Sequence, residues 1–79
     1  MANSITSTGD PALGARLRAL RENAGLSIYD VARQTDREIK PSTLSAYERG
    51  ERAVSVARLI RLAEIYGVSA SDLLVPPGS

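Results

Sequence analysis

Residues 26–50 decide the fold of this chain, and they read LSIYDVARQTDREIKPSTLSAYERG. Ser27 stands three residues before Asp30, and this spacing is a capping box that marks the start of a helix. Pro41 suits the first position of a second helix, because the N–H group that proline lacks would have no partner there. Gly50 stops that helix. The stretch therefore predicts two short helices joined by a polar connection.

The same start and stop signals predict helices on both sides of this pair. The first helix covers about residues 11–24, with Asp10 as its N-cap, and the second helix of the chain ends near Gln34. Ser55 caps the fourth helix, which Gly67 stops. No stretch alternates as a strand does.

A fifth, short helix is predicted from another capping box, formed by Ser69 and Asp72. Apolar residues recur at helical spacing in the five helices and are predicted to face inward. They are Leu13, Leu17, Leu20, Ala24, Val31, Ala32, Leu44, Tyr47, Val56, Leu59, Ile60, Leu62, Ala63, Tyr66, Leu73 and Leu74. The fold class is therefore a compact all-α domain of five helices over residues 11–75. We expect a disordered N-terminal arm over residues 1–10 and a C-terminal tail or linker over residues 76–79.

The composition excludes several classes of chemistry. The 79 residues carry a net charge of +1 and contain no Cys and no His. A disulfide framework, a thiolate zinc site, a cysteine nucleophile and a histidine base are therefore excluded. We expect no enzyme activity, no cofactor and no metal. The apolar runs are far shorter than the roughly 20 residues that span a bilayer, so we also expect no membrane partner and a cytoplasmic location.

The basic residues lie mainly in the middle of the chain. From Arg33 to Arg61 there are seven basic and four acidic residues, so this part carries a local excess of positive charge. The five basic residues that flank the third helix suit the phosphates on either side of a DNA groove. They are Arg33, Arg37, Lys40, Arg49 and Arg52.

The outer face of the third helix is small and rich in hydroxyl groups, with Ser42, Thr43, Ser45 and Ala46 where surface helices usually carry Glu, Lys or Gln. Small side chains let a helix come close to a major groove, where hydroxyls reach phosphates and base edges. For any single residue, a solvated side chain is the simpler interpretation. The joint pattern favours an interface with double-stranded DNA.

Three other features allow more than one interpretation. Tyr29 suits either packing or stacking on bases. Asp36 and Glu38 resemble a cation site only weakly, and a solvated turn is the better interpretation. The apolar cluster at Val68 and residues 73–75 suits either the core or a seam between two copies.

A set of motifs spread over residues 13–74 resembles the Cro/C1-type (XRE) helix-turn-helix family, whose fold is the lambda-repressor-like five-helix domain. The motifs are Gly25-Leu26-Ser27, Val31-Ala32, Leu44-Ser45, Glu48-x-Gly50 and Leu62-Ala63-x-x-Tyr66-Gly67-Val68-Ser69, followed by Leu73-Leu74. Residues 47–54, YERGERAV, and a connection two residues longer than usual are most similar to the N-terminal DNA-binding domain of BldD-type actinomycete developmental regulators.

The resemblance implies roles for particular residues, with the third helix as the recognition helix. The residues implied to face the bases are Pro41, Ser42 and Ala46, and the expected base-reading set also includes Lys40, Thr43 and Ser45 beside them. Arg49 and Arg52 are implied to contact phosphates from the loop after the third helix. Our full set of expected phosphate contacts adds Ser27, Arg33 and Arg37. Arg21 and Glu48 are implied to form a buried structural ion pair. One position departs from the family: Ile28 stands where many members have a Gln that contacts DNA.

We therefore interpret the chain as a DNA-binding transcriptional regulator, expected to be a repressor that binds a palindromic operator as a homodimer. The alternative is a protein-interaction or antitoxin-like module built on the same fold. A BldD-like regulator would also carry an effector-binding domain, and we expect none in this chain. A DNA partner implies a location at the nucleoid.

Overall fold

A computed structural model of the chain describes residues 11–74, and these form five helices. The helices are α1 (Pro11–Asn23), α2 (Ile28–Gln34), α3 (Pro41–Glu48), α4 (Val56–Tyr66) and α5 (Ala70–Leu74). Within residues 11–74 there is no strand, so the all-α prediction is confirmed. The expectations for the arm over residues 1–10, the N-cap Asp10, the side chain of Leu74, Val75 and the tail over residues 76–79 lie outside what the structure describes.

The predicted helix caps are formed by local hydrogen bonds. The Ser27 hydroxyl accepts a bond from the Asp30 N–H at 3.0 Å, and the Asp30 carboxylate accepts one from the Ser27 N–H at 2.9 Å. Ser55 accepts a bond from the Arg58 N–H at 3.2 Å. At α5 the prediction was wrong in detail, because the Ser69 hydroxyl accepts from the N–H of Ser71 at 3.3 Å and not from that of Asp72. Three of the helix starts thus depend on a serine hydroxyl.

The connection between α2 and α3 ends α2 without a glycine. The turns after α1, α3 and α4 each place a glycine at a φ of 73° to 75°, whereas here Asp36 and Arg37 adopt φ angles of 55° and 67°. The Arg37 N–H donates to the Ala32 carbonyl at 2.9 Å and closes the helix end. Left-handed backbone costs a non-glycine residue about 1–2 kcal/mol, so the surrounding contacts must hold this turn in place.

Thr35 supplies one of those contacts. Its side chain is buried, and its hydroxyl donates to the Ala32 carbonyl at 2.8 Å while accepting from the Ile39 N–H at 3.1 Å. Ile39 is fully buried in turn. The connection is therefore anchored in the core by Thr35 and Ile39, whereas Arg37 and Lys40 are exposed at the surface.

All five helices contribute to one hydrophobic core. Its buried members are Leu17, Val31, Ile39, Leu44, Tyr47, Val54, Leu59, Leu62, Ala63, Tyr66 and Leu73. Ile39 and Val54 lie in connections and were not among the predicted core residues. Three predicted core residues were wrong: Ala24 is exposed, and Val56 and Ile60 are 56% and 42% exposed. Val56 and Ile60 lie four residues apart on the solvent-facing flank of the apolar stripe of α4. The core-facing side of that stripe carries the buried residues Leu59, Leu62, Ala63 and Tyr66.

α1 crosses α3 closely at Gly14, which is buried. A Cβ atom at this position would lie 2.5 Å from the Glu48 carbonyl oxygen and 2.7 Å from the Tyr47 carbonyl oxygen. Only a residue without a side chain permits this approach. The contact fixes the C-terminal end of α3 against α1.

Candidate nucleic-acid interface

A surface groove runs between α2 and the first turns of α3. One part has a volume of about 360 Å³ and is lined by Tyr29, Ala32, Arg33, Arg37, Lys40 and Pro41. An adjoining part of about 610 Å³ is lined by Ile28, Tyr29, Lys40, Pro41, Ser42 and Ser45. We call these two parts together the α2–α3 groove. It brings together residues from both the base-facing and the phosphate-contacting sets that the sequence analysis named.

The predicted base-facing residues lie on the outer side of α3. Leu44 and Tyr47 are buried and hold the opposite side of the helix against the core. Ser42 is exposed and Ser45 half-buried, and both line the groove. Thr43 and Ala46 are half-buried and are not lining residues of the groove. The small side chains therefore leave the helix surface open to a close approach.

Pro41 occupies the first position of α3, and Lys40 is the residue that precedes it. Lys40 has extended backbone and makes no side-chain cap bond to the helix. Lys40 is exposed and lines the groove. The first turn of α3 therefore has no side-chain cap at its N-cap position, and a helix N-terminus of this kind favours negative charge nearby.

The five predicted phosphate-contacting residues differ in how far they are already engaged. Arg37 and Arg52 are exposed and form no ion pair within residues 11–74. Arg49 is exposed, contacts the Ser45 hydroxyl and pairs with Glu51 at 3.0 Å. The pKa of Glu51 is lowered by its hydrogen bond from Arg49. A phosphate at Arg49 therefore competes with a carboxylate.

Arg33 and Ser27 are linked through Asp30. Arg33 pairs with the Asp30 carboxylate at 2.5 Å, and Ser27 shares its capping box with the same residue. The pKa of Asp30 is lowered, first by the hydrogen bond from the Ser27 backbone and then by the Ser27 side chain, with Arg33 adding to the effect. Asp30 thus stays ionised and screens Arg33.

Arg21 and Glu48 are brought together by the fold, 27 residues apart in sequence. The Arg21 Nε donates to Glu48 Oε2 at 2.7 Å, and the Nη2 donates to Oε1 at 3.1 Å. The Nη1 donates to the Leu26 carbonyl at 2.8 Å. The two side chains are only 12% and 6% exposed, and the bond to Glu48 raises the pKa of Arg21. This bidentate pair joins α1, the α1–α2 turn and the end of α3.

Two arginines of α4 support the α2–α3 unit, and the sequence analysis assigned neither of them a role. Arg58 donates to the Tyr47 hydroxyl at 2.8 Å and to the Glu38 carbonyl at 3.4 Å. Arg61 donates to the Gln34 carbonyl at 3.2 Å, at the C-terminal end of α2. Their spacing of three residues on one helix was the only signal, and it does not identify the partners.

Tyr29 was left open by the sequence and is resolved by its position. It is 68% exposed, and it lines both parts of the α2–α3 groove. Packing in the core is therefore excluded, and the ring belongs to the candidate interface.

Other kinds of site find little support within the described residues. Among residues 11–74, no group of three or more His, Cys, Asp or Glu side chains is placed to hold a metal ion. Over the same residues, no helix has the length and apolar character needed to cross a membrane.

Comparisons with known proteins give the family. The profile of the helix-turn-helix domain family matches residues 12–74. The HTH-type transcriptional regulator RamB of Mycobacterium tuberculosis, in strains CDC 1551 / Oshkosh and ATCC 25618 / H37Rv, is 39% identical over 59 residues. The match covers 75% of this chain but only 12% of the length of RamB.

Two solved structures share the fold. The S. venezulae BldD DNA-binding domain is 43% identical with a TM-score of 0.72, covering 86% of this chain and 97% of that one. A crystal structure of the DNA-binding domain of BldD is 39% identical with a TM-score of 0.70, covering 96% of this chain and 100% of that one. The chain therefore belongs to the helix-turn-helix domain family, and its predicted resemblance to Cro/C1-type domains of the BldD type is confirmed.

Proposed function

We propose that this chain is a sequence-specific reader of double-stranded DNA and acts as a transcriptional regulator, with α3 as the recognition helix in the major groove. One observation carries the proposal: the exposed, small-residue start of α3 lies beside Arg37 and Lys40, two cations without ion-pair partners in residues 11–74. Arg52, which also has no ion pair within those residues, follows the C-terminal end of α3. The BldD domains, which share the fold, are described as DNA-binding, and RamB as a transcriptional regulator.

The phosphates are assigned to the cations around α3. Arg37 and Arg52 engage them directly, because neither must first give up a carboxylate. Arg33 and Arg49 exchange Asp30 and Glu51 for phosphate oxygens. The Ser27 hydroxyl likewise exchanges the Asp30 carboxylate for a phosphate at the start of α2. Each phosphate neutralised releases counterions, so binding weakens as salt rises.

The bases are assigned to residues 40–46. Ser42 and Ser45 lie at the groove and reach base edges, while Lys40 and Pro41 meet the DNA at the first turn of α3. Thr43 and Ala46 follow on the adjoining side. None of residues 41–46 offers the bidentate pairing of Arg or Asn, so the direct readout is short-range and DNA shape adds to it.

The assembly on DNA is proposed to be a homodimer on a palindromic operator. A single domain of this size covers little DNA, and useful affinity requires two copies. A regulator bound in this way acts as a repressor by occupying the operator, and its place in the cell is the nucleoid of the cytoplasm.

A selection from a random duplex library at low salt tests the function. We expect a palindromic motif to be recovered. If no sequence is enriched, the DNA-reading proposal is refuted and the protein-interaction alternative takes its place.

The Ser42→Glu variant tests the assignment of α3. A carboxylate at the exposed start of the recognition helix repels phosphates, so we expect operator binding to be abolished while helical circular dichroism is kept. Ser71→Glu adds the same charge to an exposed serine of α5, outside the groove, and is the matched control. Equal binding by Ser42→Glu and the control would contradict the assignment.

Arg52→Ala tests a phosphate contact. We expect weaker binding to every sequence and a slope of log affinity against log salt that is smaller by about 1. A loss restricted to one operator sequence would show that Arg52 reads bases instead.

A further inference from the structure

We propose that Ile28, Tyr29 and Pro41 form an apolar shelf that receives the 5-methyl group of a thymine and thereby supplies base specificity. This inference rests on the proposed function, because it names what the same interface reads. It assigns a specificity role to Tyr29 and Ile28, which have no role in the contacts proposed above.

The three residues of the shelf line the same part of the groove. Ile28, Tyr29 and Pro41 all line its larger part, where Ser42 and Ser45 stand beside them. Ile28 is half-buried and packs on the hydrophobic core, so the floor of the shelf is fixed. Pro41 is held by its place at the first position of α3. Tyr29 is 68% exposed and forms the outer wall.

The position of the shelf points to DNA as its occupant. Lys40 lines both parts of the groove, and Arg33 and Arg37 line the part next to the shelf. Arg37 and Lys40 have no ion-pair partner within residues 11–74, and two such cations beside an apolar surface favour a polyanion that also presents an apolar group. In the major groove of DNA that apolar group is the thymine methyl.

The side chains of α3 support the same choice. Residues 41–46 are Pro, Ser, Thr, Leu, Ser and Ala, and Leu44 is buried. Short hydroxyls discriminate weakly between bases, since a single serine can donate to or accept from several base edges. An apolar contact is therefore the discriminating interaction that this surface provides best.

Replacing thymine by deoxyuracil tests the shelf, because the change removes the methyl group and leaves the base-pairing edge intact. In a duplex recovered by the library selection, each thymine is replaced singly and the dissociation constant is measured. For the unmodified protein we expect at least one thymine in each half-site whose replacement weakens binding by about fourfold, the effect of one buried methyl.

The variant Tyr29→Ala removes the outer wall, and it should fold normally because the ring is largely exposed. We expect its thymine and uracil duplexes to bind equally at that position. Tyr29→Phe keeps the ring and should keep the preference. Val56→Ala removes a comparably exposed apolar side chain from α4 and should also leave the preference unchanged.

The outcomes separate this inference from the proposed function. If a motif is selected but no thymine shows sensitivity to uracil, or if Tyr29→Ala keeps the preference, the shelf is refuted while DNA reading stands. If no motif is selected, the proposed function fails and the shelf fails with it.

Discussion

Replacing Glu48 by Gln is expected to destabilise the domain strongly, because it leaves the Arg21 guanidinium charged, largely buried and facing an amide. An exposed ion pair contributes about 0–1 kcal/mol, whereas removing one partner of a buried pair costs about 3–5 kcal/mol. Exposures of 12% and 6% place this pair in the second class. Arg21 keeps its bond to the Leu26 carbonyl, so we expect the lower end, about 3 kcal/mol.

That loss is large for a chain of this length. At about 0.05–0.15 kcal/mol per residue, 79 residues give a total free energy of unfolding of about 4–12 kcal/mol. At about 4–8 °C per kcal/mol, a loss of about 3 kcal/mol lowers the Tm by about 12–24 °C.

Urea denaturation followed by far-ultraviolet circular dichroism measures the stability of Glu48→Gln and of the members of a double-mutant cycle. The variants are Arg21→Met, Glu48→Leu and the two combined, and the apolar pair should recover much of the stability that each single change removes. We expect a coupling energy of about 2 kcal/mol. The exposed pair Arg18 and Glu22 is the control, with about 0.3–0.5 kcal/mol expected. Single changes that cost under about 1 kcal/mol and add without coupling would refute the reasoning.

Three further outcomes follow from the fold. Gly14→Ala should lower the free energy of unfolding by about 1–3 kcal/mol, because its Cβ would meet the Glu48 carbonyl; unchanged or raised stability in urea would contradict this close approach. Tyr66→Phe should leave stability equal or raise it by up to about 1 kcal/mol, since the buried Tyr66 hydroxyl has no hydrogen-bond partner within residues 11–74; a clear loss on thermal denaturation would reveal a partner. The lowered pKa of Asp30 contributes stability above the ordinary carboxylate value of about 3.9, and this contribution is lost as pH falls through the lower folded value. Asp30→Asn should therefore reduce the loss of unfolding free energy as the pH falls below about 4. An unchanged loss would show that the Asp30 carboxylate does not contribute this stability.

Much of the fold was predictable because helix boundaries depend on neighbours in sequence. Ser27 and Asp30 cap each other across three residues, and Pro41 acts through its own ring. Such signals act before any tertiary contact exists, so α2 and α3 begin where they were predicted. The inward positions Leu44 and Tyr47 followed from helical spacing in the same way.

The candidate site was predictable only in part. The sequence placed cations near α3, but Arg33 and Arg49 pair with Asp30 and Glu51, whereas Arg37 has no ion pair within residues 11–74. These differences depend on the side-chain rotamers and on which carboxylate lies within reach of each arginine. A count of charges along the sequence gives neither kind of information. The predictions for the bases and phosphates remain predictions.

By itself, the sequence of this protein determined the number, order and ends of the helices within residues 11–74, because caps, stops and spacing are local. Only the tertiary structure decided which flank of α4 meets solvent, which leaves Val56 exposed while Ile39 and Val54 are buried from the connections. The tertiary structure also placed Tyr29 beside Pro41 in one groove. The physical reason is that a periodic stripe specifies one face of a helix, whereas burial depends on the neighbours that the whole chain packs against that face.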